Sequence, residues 1–409
     1  MTSPVYLPRA LQSVVKARLA AFPVVVVTGS RQTGKSTLAK ELGGENRTYL
    51  TLDDLSILDQ AVRAPDQLLA RGSRLTLDEV QRAPDLLLAI KRAVDTKRIP
   101  GQFLLTGSAN LGLLKGVSET LAGRAVYVTL FPMTPREVEG AGSAGRWDTF
   151  LDQPTEEWLG SLDAADGFDD MPWTDLARRG GYPVPALTLG SEEDRAAWFE
   201  GYLRTYLERD LQQLASIDNL IGFQRLIRAA ALRVGNLMNQ ADLARDVGLP
   251  PTTAQRYLNL LEASYQLLPV EAYAVNRTKR LVKSPKLYWS DTGLALHLSA
   301  EREPRGAHLE NLIVNDLFTW RETRAHRPNI LFWRTSKGAE VDLVIESPSG
   351  LLPIEVKRSA NVQTDDARHL STFLDEYADK SSAGILIYTG SSTYWLTKRV
   401  LAVPLNRVL

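Results

Sequence analysis

The chain has 409 residues, 44% hydrophobic and 23% charged, values of ordinary globular domains that exclude wholesale disorder and coiled coil. Roughly 150 residues per domain predicts two to three domains, and the absence of cysteine excludes disulfides, thiolate catalysis and Cys-ligated zinc or iron–sulfur sites. Net charge is zero, 48 basic against 48 acidic residues, which excludes a global polycation but not a local basic face.

The opening residues, MTSPVYLPRA, lack the basic-then-apolar pattern of a signal peptide. No apolar run approaches the ~18 residues of a membrane span, so the default expectation is a cytoplasmic chain with no membrane partner. Val24–Thr28 is β-branched and strand-sized, and it runs into a Gly-rich turn and then a helix from Lys35. Gly29-Ser30-Arg31-Gln32-Thr33-Gly34-Lys35-Ser36 fits GxxxxGK[ST] at every fixed position, with Thr37 continuing into the helix. Backbone N–H groups of such a loop wrap phosphates at a helix N-terminus. Lys35 would reach the β- and γ-phosphates of ATP and Ser36 would ligate Mg²⁺. Arg9 is a candidate adenine contact.

Leu75–Leu77 and Phe103–Leu105 read as further buried strands, which together predict a parallel α/β sheet with its ligand at the strands' carboxyl ends. The first of these ends in Asp78-Glu79: Asp78 for the Mg²⁺ shell, Glu79 to orient or deprotonate water. The other ends in Thr106-Gly107-Ser108, where Ser108 is the candidate γ-phosphate sensor.

Residues 139–175 carry ten acids (Glu139, Asp148, Asp152, Glu156, Glu157, Asp163, Asp166, Asp169, Asp170, Asp175) against Arg146 alone, with several glycines, and predict a loop-rich connection. Helical spacing then dominates roughly 191–268. Within it, Asn239–Ala244 opens one helix, Gly248-Leu249-Pro250-Pro251 breaks it, and Thr252 caps the next, the spacing of a helix-turn-helix. Residues 272–290 hold Arg277, Lys279, Arg280, Lys283 and Lys286 and no acid, where a winged-helix wing would lie. Those five and Arg256 are the candidate DNA contacts. All five wing bases on phosphates would give a log–log salt slope of roughly −4 to −5.

From about 306 the pattern is a helix, three apolar strands (330–334, 341–345, 352–356), another helix and the strand Ile385–Tyr388. Glu310 falls on the helix, Asp342 on one strand, and Glu355 and Lys357 on one face of the next. An acid, then ExK on a neighbouring strand, plus a helical Glu resembles the restriction-endonuclease-like PD-(D/E)xK arrangement. In it Asp342 and Glu355 would hold Mg²⁺, with Glu310 nearby, and Lys357 would activate water.

The set GSRQTGKST, LTLDEVQ, LLTGS, LAGRA (121–125) and FPMTPREV (131–138) resembles bacterial and archaeal AAA+-type ATPases that carry a poorly characterised C-terminal domain. The likeness continues through RGGYP (179–183), YLRTYLERDL (202–211), KSPKLYWSDTGL (283–294), HLENLIVNDL (308–317) and GAEVDLVI…LPIEVKRS (338–359). Ser30 and Thr33 depart from the Pro and Val usual there. The resemblance implies self-association, with an arginine from a neighbouring subunit completing the site; Arg124 and then Arg209 are the candidates.

The expected organisation is an ATPase core (1–140), an acidic connection (141–190), a helical lid and winged-helix region (191–300) and a nuclease-like α/β domain (301–409). The expected function is a DNA-binding ATPase that remodels or translocates DNA in repair or branched-DNA processing. The rivals are an ATP-regulated Mg²⁺-dependent nuclease and an ATP-dependent switch or scaffold.

Overall fold

The structure, a computed structural model, describes residues 6–44, 46–107, 121–163, 171–205, 217–280 and 283–409, with the side chains of Asp163 and Lys279 outside that description. Ser108 and Arg209 also lie outside the described residues.

Five parallel strands form the N-terminal sheet: β1 (Val24–Thr28), β2 (Thr48–Thr51), β3 (Leu75–Asp78), β4 (Phe103–Thr106) and β5 (Ala125–Thr129), in the order β2-β3-β4-β1-β5. The side chains of β1 alternate between two cores. Val24 and Val26 pack with Leu75, Leu77, Leu105 and the helix Leu86–Thr96; Val25 and Val27 pack with Leu11, Val15, Leu38 and Leu104. Both faces are covered, so the whole strand is apolar. The order also inserts β4 between β1 and β3. Leu77 pairs with Leu105, so the carboxyl end of β3 lies beside that of β4, with Asp78 next to Thr106.

The second sheet has eight strands, in the order β12-β13-β11-β10-β9-β8-β6-β7. Its members are β6 (Leu267–Ala272), β7 (Lys286–Trp289), β8 (Asn329–Arg334), β9 (Glu340–Ser347), β10 (Gly350–Lys357), β11 (Gly384–Tyr388), β12 (Tyr394–Trp395) and β13 (Val400–Pro404). The antiparallel hairpin β6–β7 joins this sheet by parallel pairing of Glu271 and Ala272 with Leu331 and Phe332. Residue 300 is therefore no boundary between sheets: the hairpin and the C-terminal strands share one sheet and one large hydrophobic core.

The acidic stretch is helical, not loop-rich, in its described part. Trp147–Asp152, Trp158–Asp163 and Trp173–Arg179 are helices. Trp147, Phe150 and Trp158 are buried in the core that holds the C-terminal strands, and Trp158 stacks on Trp395 with ring centroids 6.3 Å apart. Asp148 and Asp152, one helical turn apart, both pair with Arg324 at 2.7 and 2.8 Å. Acid counting masked an aromatic stripe. In the middle, helices Gln240–Val247 and Pro251–Ala263 flank the predicted break. Asn239 caps the first through Ala241 and Asp242, and the second starts at Pro250 with no side-chain cap, so Thr252 is not its cap. Among the described residues no helix is long and apolar enough to cross a membrane.

Candidate functional site

The loop after β1 turns on Gly29, whose φ is +142°; a Cβ there would lie 2.1 Å from the Leu130 carbonyl oxygen, so only glycine fits. Gln32 and Gly34 also take positive φ, and the helix Lys35–Glu41 follows directly. Arg9 braces the loop from beneath. It donates to the carbonyls of Thr33 and Phe131, both at 2.7 Å, and pairs with the fully buried Glu137 at 3.1 Å. These commitments correct its expected role: Arg9 supports the phosphate loop's backbone rather than an adenine.

Lys35 is buried, and its Nζ donates to the carbonyls of Gly29 (3.1 Å) and Ser30 (2.6 Å). Burial pushes its pKa down to about 8, against the pull of Glu79 and Asp78. Ser36 Oγ donates to Asp78 Oδ1 at 3.0 Å, Tyr49 donates to Asp78 Oδ2 at 2.6 Å, and Thr106 Oγ1 also donates to Asp78. Glu79 adopts a left-handed conformation at φ +59°, takes a hydrogen bond from Gln81, and is raised in pKa by burial. A hydroxyl and a carboxylate in mutual contact beside a phosphate-type loop are oxygen donors suited to a hard cation. The residues fit ATP with Mg²⁺.

The loop is roofed by residues from the middle of the chain. Gly180, at φ +66°, turns the RGGYP segment so that the buried Asp291 carboxylate accepts from Gly181 N (2.6 Å) and Tyr182 N (3.2 Å) while capping Leu294 N (2.8 Å). Tyr182 OH then lies 3.4 Å from Ser30 Oγ and 3.0 Å from Tyr202 OH. Tyr202 donates to the Arg31 carbonyl (3.4 Å) and accepts from Gln266 Nε2 (3.1 Å), while Tyr265 donates to Thr28 Oγ1 (2.9 Å). Sequence reasoning missed all of these. An aspartate before Thr-Gly-Leu does signal a helix cap, but nothing local shows that it also holds a turn 110 positions earlier.

Arg124 forms a two-point pair with Asp95 in the same chain, at 2.5 and 2.9 Å.

Of the candidate DNA contacts, Arg277 and Lys283 are exposed, and Arg256 is exposed and paired with Asp218 at 3.2 Å. Two others are not surface groups. Arg280 is buried and makes a two-point ion pair with Glu346, at 2.6 and 2.8 Å, holding that carboxyl down to about 2. Lys286 is buried in the carboxylate group of the C-terminal sheet. A basic run with no acids reads as a solvated face, yet the acids that neutralise it arrive from β9 and from the helix Gly306–Thr323.

That group brings Glu310, Asp342, Glu355 and Lys357 together with Glu340 and Lys286. Lys286 Nζ is 2.5 Å from Glu340, 3.9 Å from Asp342 and 4.0 Å from Glu310. Asp342 Oδ2 accepts from Val356 N at 2.9 Å, Glu310 accepts from Tyr288 OH at 3.0 Å, and Lys357 donates to Glu355 at 2.7 Å. Burial, and next to it the Asp342 charge, push Glu310 and Glu355 up to about 8. Among the described residues no three His, Asp or Glu side chains are grouped to hold a metal ion; Asp342 and Glu355, the expected Mg²⁺ pair, lie in this group beside Lys286 and Lys357.

Residues 21–139 match an AAA domain, and residues 172–305 and 305–408 match two domains of unknown function (DUF8612 and DUF4143). Uncharacterized proteins of Mycobacterium tuberculosis (Rv2008c) and Mycobacterium bovis (Mb2031c) are each 34% identical over 400 residues, covering 95% of this chain and 81% of theirs. An uncharacterized protein of Haemophilus influenzae is 21% identical over 377 residues, covering 87% of each chain. Among solved structures, the Walker-type ATPase PABY2304 of Pyrococcus abyssi aligns at 15% identity with a TM-score of 0.42, over 70% of this chain and 94% of that one. With its phosphate loop, parallel sheet and AAA match in place, the chain belongs to the family of these mycobacterial proteins and carries an AAA-type P-loop ATPase domain.

Proposed function

We propose that the protein hydrolyses ATP and transmits the state of its phosphate loop, through the tyrosine roof, to a DNA-binding middle region that remodels or translocates duplex or branched DNA. The observation that carries this reading is the set of hydrogen bonds joining Thr28, Ser30 and Arg31 to Tyr265, Tyr182 and Tyr202. Tyr265 lies two residues beyond the helix Pro251–Ala263, at φ +60°, and two residues before β6. A shift of the loop on binding phosphate is therefore felt at the junction between the candidate recognition helix and the hairpin.

Lys35 would exchange its two carbonyl partners for the β- and γ-phosphates, and its buried ammonium makes that exchange favourable in a low-dielectric site. Ser36 and Asp78 would hold Mg²⁺, with Tyr49 and Thr106 keeping the carboxylate aimed. A Mg²⁺ held there would supply neutralising charge for the transferring phosphoryl oxygens. Glu79, partly desolvated and raised in pKa, suits a base that orients and deprotonates water. Arg124 and Arg209 remain the proposed arginines acting across a subunit interface.

DNA as partner is supported by the helix pair 240–247 and 251–263, followed by a hairpin whose exposed Arg277 and Lys283 lie near Arg256 in sequence order. With Arg280 and Lys286 buried, the three candidate bases exposed among the described side chains, Arg256, Arg277 and Lys283, would give a salt slope of about −3 if all three meet phosphates. The test is ATP turnover with single-stranded, duplex and four-way-junction DNA. Stimulation by one form supports the motor and names its substrate; turnover indifferent to all three moves the reading to an ATP-dependent switch or scaffold. The convergence of Glu310, Asp342, Glu355 and Lys357 favours the rival Mg²⁺-dependent nuclease, and Lys286 weighs against it.

A further inference from the structure

The C-terminal carboxylate group has a feature that neither catalysis at the phosphate loop nor DNA contact uses: a lysine built into its centre. We propose that the Lys286 ammonium is the resident cation of this group, standing among Glu310, Glu340 and Asp342 where a divalent ion would otherwise bind, and that the domain is thereby an ionic grip on the β6–β7 hairpin rather than a metal-dependent cutter.

Four observations carry this. The first is position: Nζ contacts Glu340 at 2.5 Å and has Asp342 and Glu310 at 3.9 and 4.0 Å. Its side chain is 4% exposed, so three carboxylates and no bulk solvent surround the charge. The second is commitment of the oxygens. Asp342 Oδ2 is held by Val356 N, Glu310 by Tyr288 OH and Glu355 Oε1 by Lys357. A divalent ion drawn to the remaining oxygens, the unpartnered buried Glu355 Oε2 among them, would have to displace the buried Lys286 ammonium and sit against the half-buried Lys357.

The third is anchorage. Lys286 opens β7, pairs with Val270 across the hairpin and bridges to Leu237 on its other side; Met238 N donates to the Pro285 carbonyl at 2.8 Å. Its stem crosses the sheet over the Phe332 ring of β8, with Nζ 5.5 Å from the ring centroid, before meeting Glu340 at the start of β9. The backbone at Lys286 is thus held on both edges, and its aliphatic stem is packed along apolar surface up to the ammonium. The fourth is charge balance. Glu310, Glu340, Asp342 and Glu355 face Lys286 and Lys357, and Arg334 reaches Glu340 at 3.6 Å. The excess of acid that would draw in a metal is largely met from within the chain.

The inference is independent of the nucleotide reading, and its test is run without nucleotide on the full chain. Mn²⁺ uptake is followed by loss of the free-ion electron paramagnetic resonance signal, in the parent chain and in Asp342→Asn. The expected result is that the two take up the same amount, with no site tighter than about millimolar that depends on Asp342. Lys286→Met, of similar length and no charge, is expected to gain one Mn²⁺ site at least tenfold tighter, lost again in Lys286→Met with Asp342→Asn, whereas Lys286→Arg gains none. Stoichiometric, Asp342-dependent uptake by the parent chain overturns the proposal. So does a folded Lys286→Met that gains no site. Where Lys286→Met does not fold, the parent comparison with Asp342→Asn decides alone.

Discussion

Each of the two sheets in this molecule has a buried lysine and carboxylates gathered beside it, and the two groups treat them in opposite ways. In the N-terminal sheet Lys35 is bonded to two backbone carbonyls and Asp78 to three hydroxyls, those of Ser36, Tyr49 and Thr106. In the C-terminal sheet Lys286 is bonded to Glu340 and Lys357 to Glu355. A neutral partner can be given up to a stronger ionic one: carbonyls release an ammonium to a phosphate, and hydroxyls accompany a carboxylate to a cation. An ammonium already neutralised by a carboxylate has nothing to gain from a new ligand, and breaking the pair leaves a charge uncompensated in a buried place. The same residue types therefore make a receptive site in one sheet and a closed one in the other.

The largest expected effects test the receptive site. Lys35→Ala should abolish ATP binding, and Glu79→Gln should bind ATP yet lower turnover by ~10²–10⁴, measured as nucleotide affinity and phosphate release on each variant. Equal turnover in Glu79→Gln and the parent would remove Glu79 from the chemistry. Next is the energetic contrast between the two lysines. Lys286→Met should cost about 3–5 kcal/mol in urea unfolding, because it strands buried carboxylates. Lys35→Met should cost only about 1 kcal/mol, since it strands two carbonyl acceptors. Similar costs for the two would collapse the distinction between open and closed sites.

That contrast also marks what could be read from the residues alone. Strands whose side chains are buried on both faces were legible: Val24–Thr28 matches β1, and 330–334 and 352–356 fall within β8 and β10. The strand β2, Thr48–Thr51, was not, because it lies at the sheet edge with partly exposed side chains and no apolar run. The phosphate loop was legible because the residue types its phosphate-binding turn needs fall within eight consecutive positions, between a β-branched strand and a helix; its supports from Arg9 and the tyrosines come from far away and were not legible. Lys286 was misplaced for the converse reason. Its partners Glu310, Glu340 and Asp342 come from a helix and a strand well downstream in sequence, and only β6–β8 pairing brings them to it. The tyrosine roof shares that property, as does the acidic segment, whose buried tryptophans pack into the C-terminal core while Asp148 and Asp152 pair with Arg324.

Acid and base titration separates the sheets further. Asp316, fully buried, accepts from Gly145 N at 2.7 Å and Trp147 Nε1 at 2.5 Å, and burial raises it from 3.8 to about 7. Its folded pKa exceeds its unfolded one, so the native state binds the proton more tightly and stability falls as pH rises from about 4 to about 7. The raised Glu310 and Glu355 extend the same trend to about 8. Asp316→Asn keeps the Oδ1 acceptor and carries no charge at any pH. Between pH 5 and 8 the parent should therefore lose ~2 kcal/mol more than the variant in urea unfolding; parallel curves would show that Asp316 stays ionised in the fold.

The smallest effect probes the link between the two halves. Tyr202→Phe removes one hydroxyl that accepts from Gln266, meets Tyr182 OH and donates to the Arg31 carbonyl. Packing is kept, including the Trp198 ring stacked at 5.3 Å and 15°, so the loss is about 1 kcal/mol of hydrogen bonding, or several-fold in rate. If the hydroxyl only stabilises the roof, unfolding shifts while kcat and KM do not. If it transmits the loop's state, kcat falls several-fold with KM little changed, and the difference in tryptophan fluorescence between ATP- and ADP-bound protein shrinks. A Trp198→Phe control assigns that signal to the ring beside Tyr202. Three hydroxyls reach the loop, from Tyr182, Tyr202 and Tyr265, and Tyr265 bonds Thr28 without passing through the other two. A single deletion should therefore weaken coupling without abolishing it, and Tyr202→Phe combined with Tyr265→Phe should lower kcat by the product of their separate effects. A double variant no worse than Tyr202→Phe would place both tyrosines on one path through Gln266.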